Sequence, residues 1–215
     1  MEHDIASTRQ QIIQLMRERG KMTARDIARE LGITSVGVRR HLANLEKDGL
    51  ASVQLVRQKV GRPTFIYSLT DQAQELFPKN YHSLATQLLD AIQVREGDKG
   101  IDSIFSARMD QLLSQYRPRM EGKDLQGRVR ELAKIQDEAG YMALWESAPD
   151  GYILKEQNCA IYRVACRFQQ ACHFEIELFR RLLDAEVTRI EHQVKGERYC
   201  TYLIRQKPTR SSRSR

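Results

Sequence analysis

A tight turn between two short amphipathic segments constrains the start of the chain more than any other feature. Gly32-Ile33-Thr34 separates a segment that begins after Thr23 from a second one over residues 35–48. Glycine permits the left-handed backbone of a sharp turn, and a threonine can cap the first turn of the next helix. A segment over residues 7–19 also has helical spacing. The pattern predicts three helices in close succession, in the order of a helix-turn-helix.

The third segment has two faces of different chemistry. At about 100° per residue, Val38, Leu42 and Leu45 fall in one sector and are predicted to face a core. The opposite side carries side chains that can hydrogen-bond to base edges in a major groove. The alternative is an ordinary basic face in contact with solvent, which is the usual case for an isolated helix. The candidate DNA-contacting residues here are Thr34, Ser35, Val36, Arg39, Arg40, Asn44 and Lys47.

A basic hairpin follows the third helix and favours the DNA-binding interpretation. Two β-prone runs, over residues 49–57 and 64–70, flank a turn that contains Gly61-Arg62-Pro63. Arg57, Lys59 and Arg62 lie at or near this turn, where cations can contact phosphates or a narrow minor groove. Three helices and a basic hairpin predict a winged helix-turn-helix, and a net charge of +7 suits a polyanionic partner without proving one.

The middle of the chain has the spacing of a connecting helix. A short helix is expected after Thr70, with Ala73, Leu76 and Phe77 facing inward until Pro78. The next helix, from about residue 80, carries apolar residues at three- and four-residue steps, namely Tyr81, Leu84, Ala85, Leu88 and Ile92. This stripe either lies on its own domain or forms a dimer interface. We favour the interface because helix-turn-helix proteins usually pair to match two half-sites.

The rest of the chain alternates helical and strand patterns. A break is expected over Gly97-Asp98-Lys99-Gly100, then helices over 101–116, 125–139 and 168–183, and strands near 141–145, 152–154, 187–190 and 199–204. The predicted fold is α+β and mostly helical. Its expected parts are a winged helix-turn-helix over 1–72, a connector with dimerisation helices over 73–96, an α+β sensor domain over 97–206 and a disordered basic tail over 207–215.

Every cysteine lies in the last part of the chain. The four are Cys159, Cys166, Cys172 and Cys200, and none belongs to a tight Cys-x-x-Cys pair. A reducing cytoplasm disfavours structural disulfides. Metal binding, redox sensing and plain burial therefore all remain possible from the spacing alone.

Several motifs resemble known families. Residues 38–50 and Gly61-Arg62-Pro63 are similar to bacterial winged-helix repressors. The motifs that surround the cysteines extend the resemblance to nearly the whole chain, and they are Asn158-Cys159-Ala160-Ile161-Tyr162-Arg163-Val164-Ala165, Ala171-Cys172, Arg189-Ile190-Glu191-His192 and Gly196-Glu197-Arg198-Tyr199-Cys200-Thr201-Tyr202-Leu203-Ile204. Together they resemble the SufR family, the iron–sulfur-responsive repressors of the suf operon, particularly its cyanobacterial members.

The resemblance implies a homodimer that binds double-stranded operator DNA and holds one [4Fe-4S] cluster per chain. It implies that the loaded form represses suf genes and that loss or oxidation of the cluster relieves repression. Matched to the family, Cys159, Cys172 and Cys200 are ligands, and Cys166 supplies the fourth thiolate as in cyanobacterial members. His173, Glu175 or His192 are the alternatives if Cys166 is not a ligand.

Other functions remain as alternatives. The cysteines could form a zinc site or a thiol redox switch on the same regulator, or the chain could be an iron–sulfur enzyme acting on nucleic acid. No phosphate loop, Gly-x-Ser-x-Gly or His-Glu-x-x-His motif is present, so we expect no enzyme. We also expect a cytoplasmic location, because no apolar run reaches about 18–20 residues and Met1-Glu2-His3-Asp4 lacks the pattern of a secretory signal.

Overall fold

The computed structural model describes residues 7–57 and 62–208 and divides into two compact units, 1–79 and 80–215. Lys59 and Gly61 of the predicted wing, and residues 209–215 of the predicted tail, lie outside the described residues. The first unit contains helices α1 (Thr8–Arg19), α2 (Ala24–Leu31) and α3 (Ser35–Lys47), strands β1 (Ala51–Val56) and β2 (Thr64–Leu69), and a 3-10 turn (Asp71–Leu76).

The local sequence explains where the three helices of the first unit begin. The Ser7 hydroxyl accepts from the Gln10 amide, and the Gln10 side chain accepts in return from the Ser7 amide, which completes a capping box. Thr23 and Asp26 form the same arrangement at α2. Gly32 ends α2 in the left-handed conformation with φ of 66°, which permits the turn into α3. The predicted helix-turn-helix is confirmed.

The core of this unit forms where α3 meets the other helices and the hairpin. Val38, Leu42 and Leu45 are fully buried, as the helical spacing predicts. The inward placement of Leu76 is wrong, because this side chain is 52% exposed. The segment forms a short 3-10 turn, and Phe77 lies in extended backbone beyond it and packs against the core instead.

The second unit combines long helices with one antiparallel sheet. Its elements are α4 (Tyr81–Met120), α5 (Leu125–Glu138), β3 (Ala143–Ala148), β4 (Gly151–Glu156), α6 (Tyr162–Arg167), α7 (Gln170–Leu183), β5 (Ala185–Glu191), a 3-10 turn (Gln193–Lys195) and β6 (Cys200–Gln206). The strand order is β3-β4-β6-β5, with antiparallel pairing throughout. The described residues therefore confirm a mostly helical α+β fold.

Two features of α4 differ from the sequence prediction. The break expected over four residues is a single kink at Gly97, with φ of 67° and ψ of −161°, and the helix then continues. The helix also runs past Pro118 to Met120, because Met120 is buried and Arg119 bonds to Glu131 and Glu138 of α5.

The helix predicted over 168–183 is α7, which begins at Gln170, and a short helix α6 that the sequence analysis did not predict precedes it. Phe168 leaves helical geometry between α6 and α7 and is almost fully buried. It packs with Ala171 against Leu89, Ile101 and Phe105 of α4, which fixes the short helix α6 to the longer one.

The main core of the second unit lies between its sheet and α5 and α7. Leu154, Tyr202 and Ile204 point from the strands toward Phe179 and Leu182 of α7. No helix in the described part of the chain is long and apolar enough to span a membrane.

Candidate functional site

The outer side of α3 forms an exposed surface, which we call the recognition face and define as Val36, Arg39, Arg40, Asn44 and Lys47. All five side chains are exposed, and Val36 is exposed to 77%. The three buried core residues of α3 hold the helix from the opposite side, so the orientation of this face is fixed by packing. A helix with this exposure can enter a major groove.

The polar groups of the recognition face are available for a partner. Arg39, Arg40, Asn44 and Lys47 make no side-chain hydrogen bond or ion pair within the described ranges. Other cations of this unit are engaged, for example Arg9 with Asp48 at 2.8 Å. A cluster of unpaired cations on one helix is what phosphate and base contacts require.

The two residues that precede the recognition face have different positions. The Thr34 hydroxyl accepts from the Gly37 amide at 3.2 Å and so caps α3. Ser35 is half-buried at the first turn of the helix. Thr34 is therefore engaged in the helix cap as well as exposed.

The hairpin extends from the same unit and carries two further candidate residues. β1 and β2 pair in register from Ala51 opposite Leu69 to Val56 opposite Thr64. Arg57 and Arg62 are exposed just beyond the paired strands, whereas Lys59 lies outside the described residues. The base of the hairpin is joined to the start of α2 by Met22, which pairs with Tyr67.

The four cysteines lie on four separate elements of the second unit. Cys159 is in the loop before α6, Cys166 in α6, Cys172 in α7 and Cys200 at the start of β6. All are free thiols; Cys172 and Cys200 are buried, Cys159 is half-buried and Cys166 is exposed. An ion pair between Arg167 and Asp90 at 2.8 Å helps to hold α6 on α4.

The fold brings three of these thiols into one electrostatic neighbourhood, which we call the thiol trio (Cys159, Cys172 and Cys200). Burial raises the pKa of the Cys159 thiol to about 12, and the charges of Glu175, Cys200 and Cys172 add to the rise. Burial and Glu175 raise the pKa of Cys172 to about 11. Cys200 also has a raised pKa, mainly through burial. The trio is therefore fully protonated near neutral pH when nothing is bound.

Cys166 lies at the edge of this neighbourhood. The charge of its thiolate form raises the pKa of Cys172. Its side chain also forms a hydrogen bond with the exposed Tyr162, and this bond is the main cause of the raised pKa of Tyr162. A cleft of about 400 Å³ also reaches Cys159 from solvent, and Tyr81, His82 and Tyr162 line part of it.

Unpartnered polar atoms accompany the thiols. His192 is buried, and its Nε2 atom has no hydrogen-bond partner among the residues that the structure describes. Burial, followed by the charges of Arg189 and Lys195, lowers the pKa of His192, so its imidazole is neutral and can accept or ligate. His173, the other candidate histidine, is exposed and lies edge-on to Phe174.

A buried polar network adjoins the thiols, and sequence analysis did not identify it. The Tyr202 hydroxyl lies 2.7 Å from Glu175 and 3.3 Å from Glu156, and the Gln136 amide donates to Glu156 at 2.7 Å. Burial and the nearby Glu175 raise the pKa of Glu156 well above its usual range. Glu156 lies on the same face of β4 as buried Leu154, and Tyr202 lies on the same face of β6 as buried Ile204, so this inward phase was the available signal.

The donor set fits an iron–sulfur cluster in its chemistry. Three thiols from a loop, a helix and a strand lie within electrostatic reach of one another, and thiolates are the preferred protein ligands of such clusters. Within residues 7–57 and 62–208, no group of three or more His, Cys, Asp or Glu side chains is arranged to hold a metal ion. A cubane is wider than an ion, so the thiolates that hold it stand farther apart than the ligands of one ion.

Comparison with known proteins identifies the first unit. Residues 6–53 match the family described as bacterial regulatory protein, arsR family. A search of curated proteins gives no match.

Solved structures from several organisms are similar to part of this chain. A Zalpha domain from Carassius auratus PKZ, solved with Z-DNA, is 30% identical over 29% of this chain and 92% of its own, with a TM-score of 0.25. Bacillus subtilis PadR, solved with operator DNA, is 19% identical over 63% and 94%, and Streptococcus pyogenes AdcR is 16% identical over 55% and 84%, each with a TM-score of 0.30. TM-scores of 0.25 to 0.30 are too low to support a conclusion beyond the family match of residues 6–53. The first unit therefore contains an arsR-type winged helix-turn-helix, the domain of a DNA-binding transcription regulator.

Proposed function

We propose that this regulator is an iron–sulfur-sensing repressor of cluster-assembly (suf) genes. It binds operator DNA as a homodimer and holds one [4Fe-4S] cluster per chain on the thiol trio and Cys166. The observation that carries the proposal is that thiols from separate elements influence one another electrostatically beside buried, unpartnered polar atoms. The resemblance to the SufR family around the same cysteines supports the same assignment.

The fourth ligand is the least constrained part of the site. Cys166 is exposed on α6. Its charge raises the pKa of Cys172, so it lies within electrostatic reach of the trio. His192 is the alternative that the buried surroundings favour, because its Nε2 atom has no partner among the described residues. Glu175 is a weaker alternative, since its carboxylate already bonds to Tyr202 and Arg189.

The residues of the chain explain how occupancy can act as a signal. A bound cluster supplies a link between the thiolates that is sensitive to oxidants. The thiols must lose their protons to bind it, so binding releases protons and is weaker at low pH. Because the four cysteines come from the loop, α6, α7 and β6, ligation constrains these elements relative to one another.

The pairing of two chains is proposed across the first half of α4. Tyr81, Leu84 and Leu88 occur at helical spacing and are 69%, 55% and 58% exposed. Large exposed apolar stripes mark interaction surfaces, and a second copy would match two DNA half-sites. A Leu84→Glu, Leu88→Glu double variant is expected to sediment as a monomer, with Ile104→Glu, an exposed apolar position on the same helix, as the control.

Anaerobic reconstitution with iron and sulfide tests the cluster. We expect a brown protein with broad visible absorption and with iron and acid-labile sulfide in the proportion of one cubane per chain. Cys159→Ser, Cys172→Ser and Cys200→Ser should each abolish the absorption. Cys166→Ser and His192→Ala then show which residue supplies the fourth bond.

The alternatives predict different results. A zinc site gives a colourless protein that binds stoichiometric zinc and no sulfide. A thiol switch gives a disulfide between two of the cysteines after oxidation, although reactive thiols have a lowered pKa and those of the trio are raised. Either outcome would contradict the proposal.

A further inference from the structure

Arg189 is the most deeply buried cation beside the thiols. It comes from β5, and its side chain is only 9% exposed. The guanidinium donates to the Cys172 carbonyl at 3.0 Å and to Glu175 at 2.9 Å. It also lies 3.0 Å from the Tyr202 hydroxyl and 5.0 Å from the centre of the Tyr202 ring. Partners on two other elements, α7 and β6, therefore hold the guanidinium in place.

One donor of this side chain remains unused. The Nε atom of Arg189 is buried and has no hydrogen-bond acceptor within the described part of the chain. Buried donors without a partner are rare in folded proteins and call for an explanation, such as a bound group that completes the site. The unpartnered Nε2 atom of His192 belongs to the same neighbourhood, because the charge of Arg189 acts on that imidazole.

The charge of Arg189 is directed at the thiols. It favours the ionised form of both Cys172 and Cys200 and so partly opposes the effect of burial on them. The other titratable groups that face this region are Glu156 and Glu175, whose ionised forms act on the thiols in the opposite direction and whose own pKa values are raised by burial. The charge of Arg108 lowers the pKa of Glu175 and so favours its ionised form. Arg189 and Glu175 are thus a cation and an anion bonded to each other at the edge of the proposed cluster site.

We infer that Arg189 is a positioning residue that raises the reduction potential of the cluster by offering it a positive charge and the free Nε–H donor, while Glu175 lowers that potential. The inference rests on the proposed function. Charge and hydrogen bonds around the ligands are among the main determinants of such potentials. The couple is a one-electron step, in which the 2+ cubane accepts one electron from a redox mediator and becomes the 1+ cubane.

A mediated redox titration of full-length, anaerobically reconstituted protein tests the inference. Arg189→Gln is expected to lower the midpoint potential, and Glu175→Gln to raise it. Each shift corresponds to about a tenfold change in the equilibrium constant, which is about 59 mV for one electron. Arg189→Lys keeps the charge and should recover most of the loss. Arg205→Gln, which removes an exposed arginine paired with Asp150, should leave the potential unchanged.

The opposite signs separate an electrostatic role from a structural one. A purely structural role of this network would move both variants in the same direction or leave both potentials unchanged, and either result overturns the inference. If Arg189→Gln does not fold, as judged by thermal unfolding of the metal-free protein, the absence of an upward shift in Glu175→Gln overturns it. Failure of the unmodified protein to form a cluster refutes the proposed function instead.

Discussion

Asn44→Ala offers the sharpest test of how the regulator identifies its DNA sequence. Asn44 lies on the recognition face of α3, is exposed and has no hydrogen-bond partner among the described residues. Its amide can bond both edge atoms of an adenine in the major groove. Alanine is a better helix former than asparagine, so the substitution should not weaken α3.

The magnitude follows from the contact that is lost. A good bidentate base contact is worth about 1–3 kcal/mol, so affinity should fall roughly 5- to 150-fold at fixed salt. Because Asn44 carries no charge, the dependence of affinity on salt should stay the same. The loss should also be confined to sequences that carry the contacted base, with little change on unrelated DNA.

Fluorescence anisotropy on sites selected from random DNA by the unmodified protein measures these quantities across a salt series. Arg19→Ala is the control, because Arg19 is exposed in α1, outside the recognition face. An unchanged affinity for Asn44→Ala, or an equal loss on every sequence, would refute direct base recognition by this face.

Three further predictions concern the first unit. Lys47→Ala should weaken binding on all sequences and reduce the slope of log affinity against log salt by about 1, measured in the same titrations. Leu42 is fully buried in α3, so Leu42→Ala should lower the free energy of unfolding by about 2–5 kcal/mol, measured by urea denaturation. Thr23 holds the pKa of Asp26 below its ordinary value of 3.8, so the stabilisation by Asp26 is complete at neutral pH and is lost as the pH falls through the folded-state pKa. Asp26→Asn should remove this acid-side loss in thermal melts, and an unchanged pH profile would contradict the role of the capping box.

The winged helix-turn-helix was predictable from sequence because each local signal agrees with the next. Thr23 and Gly32 mark helix ends, and Leu42 and Leu45 mark the buried side of α3. These signals depend on neighbours within a few residues, and the structure places the helix boundaries within a residue of the prediction. Where tertiary contacts decide, prediction fails: Arg119 and buried Met120 extend α4 beyond Pro118.

The network around the thiols could not be predicted in the same way. Glu156, Arg189 and Tyr202 lie on three strands, and their contacts depend on the register of β4, β5 and β6. A single sequence shows that Tyr202 points inward, but it does not show that Glu175 of α7 meets it there. The cysteines were identifiable as a group by their confinement to the end of the chain, whereas their convergence depends on the packing of α6 and α7.

In the proposed function, cluster occupancy controls binding to DNA. An operator-binding titration on anaerobically isolated protein, repeated after removal of the cluster at the same salt concentration, measures this control. We expect tight binding by the loaded protein and a large loss of affinity in the cluster-free protein. Equal affinity in the two forms would contradict it.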